Sequence, residues 1–153
     1  MNFIRRIPYI TDLGLLVARV ALGVVFVGHG WQKFNDQGHT ATAAAFRQMG
    51  VPLPEISAFY ATWVELLGGG ALIIGVAVPI AGLLLFADMA GAFLFVHAGH
   101  GMFLARHGFE FVLVLGATSL LLAVLGSGRF GVDAFLGGRD RATRAPEGDR
   151  ADR

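Results

Sequence analysis

The sequence predicts an all-α protein: a polytopic membrane four-helix bundle with both termini cytoplasmic. Composition is the first observation behind this. Hydrophobic residues fill 55% of the 153 positions and charged residues only 15%, against about 25% charged in an ordinary soluble domain, and the mean hydropathy is +0.63. The second is length: four apolar stretches, 13–34, 56–78, 80–98 and 109–126, each fall within the roughly 17–25 residues that cross a bilayer. The third is the placement of basic residues. Eight arginines (5, 6, 129, 139, 141, 144, 150 and 153) lie in the terminal segments, against Lys33, Arg47 and Arg106 in the two opposite loops. Positive charge is retained on the cytoplasmic side, so four crossings place both ends there.

Residues 1–11, with Arg5, Arg6 and Pro8, form a basic lead-in. A cleaved signal peptide is disfavoured, because the apolar run after it is too long for one and contains Arg19. That run, Leu13 to Phe34, rises about 33 Å as a helix and carries Arg19, His29 and Lys33. Asn35 to Pro54 is a connection in which Ala43, Phe46 and Met49 allow a short amphipathic helix on the membrane surface, ended by Gly50 and two prolines. In the second span Glu65 shares a helix face with Gly68, Gly69 and Leu72, while Tyr60 and Trp63 suit the headgroup boundary. Pro79 alone separates it from the third span, which contains Asp88 and His97. A loop with His100, Arg106 and His107 leads to the fourth, which starts with Glu110. Gly126 to Asp133 is expected to cap that helix, with Arg129 pairing Asp133. Residues 1–136 form the transmembrane domain, and 137–153, alternating arginine with acids, a disordered charged cytoplasmic tail that buries nothing.

Ionisable groups inside a membrane are functional candidates and require partners. Counted at about 1.5 Å per residue from each span's cytoplasmic end, Arg19 and Asp88 fall at similar depth in the inner half and are expected to form a buried charge pair. The bland reading of that pair is helix packing and register. Glu65 lies further out, followed by His29, Lys33, His97 and Glu110, which gather near the outer boundary with His100 and His107. With walls from Phe26, Trp63 and Phe95 this cluster suits a small apolar ligand or a quinone headgroup; its own bland reading is a set of boundary histidines facing water. No metal is assigned, since the histidine spacing is loose. The absence of cysteine excludes disulfides, thiol nucleophiles and cysteine-ligated clusters. The net charge of +1, without a basic stripe, leaves no place for nucleic acid, and the glycine runs match no phosphate-loop or dinucleotide pattern.

Taken in order, several stretches resemble the DoxX family of small four-helix membrane proteins. They are Arg19-Val20-Ala21-Leu22-Gly23 with His29-Gly30-Trp31-Gln32-Lys33, then Phe46 to Pro54, then Glu65 ahead of Gly68-Gly69 and Leu72 to Gly75, and finally His97, Glu110 after Gly108, and Gly126 to Asp133. The resemblance covers about residues 12–136 and leaves out the arginine-rich tail. It implies a multi-pass protein of the bacterial cytoplasmic (inner) membrane, described as an oxidoreductase through relation to DoxD, the thiosulfate:quinone oxidoreductase subunit. The expected function is an oxidoreductase or quinone-linked redox subunit; the alternative is a noncatalytic membrane anchor or scaffold for soluble thiol-redox or detoxifying enzymes. Expected partners are the lipid bilayer, soluble redox enzymes or further copies of the chain. Any electron transfer needs a quinone, a metal or a partner, because no residue here changes redox state unaided.

Overall fold

The computed structural model describes residues 9–135, so the basic lead-in at 1–8 and the charged tail lie outside the described residues. All the regular elements among them are helical. The first, α1 (Ile10–Trp31), runs into a π-helical segment, Gln32–Gln37. Gly38, at φ 76° and ψ 161°, then redirects the chain into α2 (Gly38–Gln48), which packs against α3 (Pro54–Trp63). A second π segment, Val64–Gly68, joins α3 to α4 (Gly69–Ile74). After a tight turn, α5 (Val78–Ala92) continues through a third π segment, Phe93–His97. The final helix is α6 (Glu110–Leu125). Three of these runs, Ile10–Gln48, Pro54–Ile74 and Val78–His100, are long and apolar enough to cross a membrane, and Glu110–Leu125 is apolar but shorter.

The helices approach through glycine, as expected where van der Waals contact between backbones replaces a hydrophobic driving force. A Cβ on Gly23 would lie 2.6 Å from the Gly69 carbonyl oxygen, and one on Gly82 would lie 2.7 Å from that of Ser119. These contacts set α1 on α4 and α5 on α6. Between them lies a core of Leu22, Phe26, Leu72, Val78, Leu85 and Leu122. Many other apolar side chains, such as Val17, Val24, Leu83 and Val124, point outward and are exposed, which is what a lipid-facing surface requires.

The second apolar run does not extend to Val78. It stops at Ile74, because Gly75 takes a left-handed conformation at φ 79° and closes the helix. Asp133 satisfies the start of the next helix: its carboxylate accepts from the Ala77 N–H at 2.7 Å and the Val78 N–H at 3.0 Å. The expected Arg129–Asp133 pair is therefore replaced. The Arg129 N–H donates to Asp12 at 2.9 Å, and its guanidinium lies 4.9 Å from the centre of the Tyr9 ring. Asp133→Ala removes both acceptors from the α5 N-terminus and should lower stability by roughly 1–2 kcal/mol, seen as an earlier thermal melt in detergent. An unchanged melt would show that water serves those donors equally well.

Candidate functional site

Each of the three π segments carries one ionisable residue of the site described below. Lys33 is in the first, Glu65 in the second and His97 in the third. A π turn hydrogen-bonds i to i+5, widens the helix and shifts the register of the residues beyond it, and such turns recur at functional sites. Here the segments surround a cavity of about 490 Å³, a volume typical of small-molecule sites.

At its centre the Lys33 ammonium donates to the Glu65 carboxylate at 2.6 Å. Glu65 is only 4% exposed, so its charge depends on that contact. Asp88 lies against Glu65. Both acids line the cavity. Each of the two cavity histidines uses Nδ1 on the backbone: His29 donates to the Val25 carbonyl at 2.9 Å, and His97 to that of His107 at 2.7 Å. With Nδ1 carrying the hydrogen, the neutral ring keeps Nε2 as an acceptor. Phe26, Phe95, Phe111, Met89 and Leu115 supply apolar wall.

Of the residues singled out from the sequence, Phe26, His29, Lys33, Glu65, Asp88, Phe95 and His97 meet around this one cavity. Two do not. Trp63 packs its ring on Phe34 and Phe59, at centroid distances of 5.6 and 6.2 Å. Glu110 instead accepts the Leu104 N–H at 2.6 Å and braces the loop before α6. No group of three or more histidines and acids among the described residues is arranged to hold a metal ion.

The expected Arg19–Asp88 pair is corrected by the structure. Arg19 is fully buried, but its Nη2 donates to the Phe130 carbonyl at 3.3 Å, and Asp133 supplies the neighbouring opposite charge. Nε and Nη1 have no hydrogen-bond partner among the described residues. Depths counted from each span's own end require the ends to be level, and they are not. The Gly75 turn sits beside the Arg19 guanidinium, nine residues into α1, so Asp88, ten residues beyond Val78, lies about 15 Å further along. The arginine thus belongs to a separate, sealed assembly at the end where the described termini meet.

Several cavity residues are not expected there from the sequence, which places Tyr60, Phe46 and Met49 at the membrane boundary or surface. Ser57, Tyr60 and Ala61 lie on the Glu65 face of α3, a stripe readable from i, i+3 and i+4 spacing. Tyr60 also anchors α5, donating to the Leu84 carbonyl at 2.9 Å. Phe46, Met49, Val51 and Pro52 also line the cavity. Their participation depends on α2 folding back over α3, held at its surface by the Arg47–Glu55 ion pair, and no local pattern announces it.

Fold and site together define an all-helical, multi-pass membrane protein with an amphipathic cavity among its helices. The sequence model of the DoxX family matches residues 14–98, more than half of the chain, and the chain belongs to that family. It is 34% identical over 125 residues to the Bacillus subtilis (strain 168) protein named "Putative oxidoreductase CatD", covering 82% of this chain and 88% of that one. It is 32% identical over 129 residues to "Inner membrane protein YqjF" of Escherichia coli (strain K12), covering 82% and 93%. No solved structure matches. The chain is accordingly a multi-pass protein of the bacterial inner membrane.

Proposed function

We propose that the protein is a quinone-linked redox subunit, which binds a quinone headgroup in the cavity around Lys33, Glu65 and Asp88. The observation that carries this reading is the composition of the cavity: aromatic and aliphatic walls enclosing one ammonium, two acids and two histidines with free Nε2 acceptors. The residues suit both states of such a ligand. Lys33 can donate to a quinone carbonyl. His29 and His97 can accept from quinol hydroxyls, and the Glu65–Asp88 pair can hold a proton beside them. A quinone takes up two electrons and two protons to become a quinol, and this supplies the redox chemistry that the side chains lack. The electrons must come from a partner, in keeping with the oxidoreductase name carried by the Bacillus relative.

In this reading the chain crosses the membrane four times with both termini cytoplasmic. Two observations support an even number of crossings. Tyr9 and Phe130 have ring centroids 6.5 Å apart, and Asp12 accepts from the Arg129 N–H, so the two described ends lie together. The 16-residue α6 rises about 24 Å, a shortfall that local bilayer thinning accommodates. The cavity then opens in the outer half of the membrane.

The test is quinone extraction, quinone binding and quinone-dependent turnover for the wild type, Glu65→Gln and His29→Ala in mild detergent. The wild type should retain and turn over quinone, with turnover in both variants reduced by about tenfold or more, the size of effect expected on removing a positioned proton-transfer group. Equal behaviour in all three, or activity in none with soluble partners supplied, favours the noncatalytic scaffold instead.

A further inference from the structure

A second hollow, of about 400 Å³, lies on the surface of the bundle where α1 faces α6. It is lined by Val24, Val25, Gly28, His29, Gln32, Asp36 and Phe111, and His29, Gln32 and Phe111 also line the central cavity. Those three side chains thus stand in the partition that the surface groove shares with the interior. We propose that this groove is a lateral portal, through which an amphiphile dissolved in the bilayer, a polar ring on a long apolar tail, enters the cavity. The proposal rests on the reading of the cavity as a quinone-type site.

The shape and polarity of the groove fit such a visitor. Residues 24, 28, 32 and 36 succeed one another at intervals of four, so they form a single stripe along one face of α1 and its π extension. The stripe begins at Val24 and ends at Gln32 and Asp36, so it is apolar within the helix and polar toward its end. An amphiphile aligned with the lipids carries the same gradient. The floor is bare backbone at Gly28, which is exposed and where an added Cβ would meet no heavy atom within 4 Å.

The partition is built to part. His29 and Phe111 face each other at a centroid distance of 6.0 Å and a 39° tilt, a contact between rings with no hydrogen bond across it. The His29 ring is tied to its own helix through the Val25 carbonyl, so it stays with α1 when the rings separate. The two helices are also lightly joined: α6 packs along α5 for most of its length and touches α1 much less. Separation at this seam leaves the Gly23–Gly69 and Gly82–Ser119 crossings intact.

The test uses the full chain in lipid nanodiscs, with stopped-flow tryptophan quenching by a long-tailed benzoquinone and by its tail-free, water-soluble parent. Gly28→Leu fills the floor of the groove, Val24→Phe fills its apolar end, and Gly14→Leu is the control, an open glycine on the same helix outside the groove. Gly28→Leu and Val24→Phe should slow association of the long-tailed probe by about tenfold or more, within the range over which association rates vary among variants of one site. The tail-free probe and Gly14→Leu should keep wild-type rates. If the wild type binds both probes and the groove variants leave both rates unchanged, or slow both equally, the portal is overturned while the cavity reading survives. If the wild type binds neither probe, the cavity reading itself fails and the portal with it.

Discussion

Gly75→Ala should destabilise the bundle by more than about 3 kcal/mol, since two independent penalties meet at this position. Its backbone lies at φ 79°, a conformation that disfavours any side chain, and an added Cβ would sit 1.6 Å from Arg19 Nη1 and 2.6 Å from the Gly131 Cα. The guanidinium has nowhere to retreat. It is fully buried, and moving it would break its bond to the Phe130 carbonyl and separate it from Asp133. Gly70→Ala is the matched control: nothing lies within 4 Å of a Cβ there, so the change should be neutral or stabilising by up to about 1 kcal/mol through helix propensity alone. The check is the pair of detergent melts. A Gly75→Ala protein that melts with the wild type would show that the turn and Arg19 do not hold the end of the bundle together.

The second large effect should appear at the cavity. Lys33→Met strips the Glu65 carboxylate of its partner while leaving it almost wholly enclosed, and such a loss costs roughly 3–5 kcal/mol. Adding Glu65→Leu should recover most of that loss, because well-packed apolar residues replace a buried ion pair at little net cost. Quinone binding should be absent from both variants. Stability and binding therefore separate in the double variant, which distinguishes a pair retained for ligand chemistry from one retained for folding. The measurement is melting together with quinone retention on purification. Undiminished retention in the double variant would show that the charges contribute nothing to the site.

The amino-acid sequence by itself determined the solvent this chain folds in. An apolar composition, runs long enough for a bilayer and glycine at the helix crossings arise from local residue choice, so the membrane class, the family and the helical elements were all legible. So were the charged residues of the cavity, because a charge inside a membrane helix stands out wherever it occurs. Tertiary structure alone decided which charges meet. Arg19 and Asp88 match in depth only if the helix ends are level, and the Gly75 turn, drawn up beside Arg19, moves α5 by roughly two turns and gives Asp88 to Glu65 instead. Tertiary structure also decided that Phe46 and Met49 cover a cavity and not a lipid surface, since that depends on where Gly38 sends α2. The π segments at Lys33, Glu65 and His97 belong to the same class. A π turn and an α turn of one sequence differ little in local propensity, and the choice between them is made by what the neighbouring helices pack against.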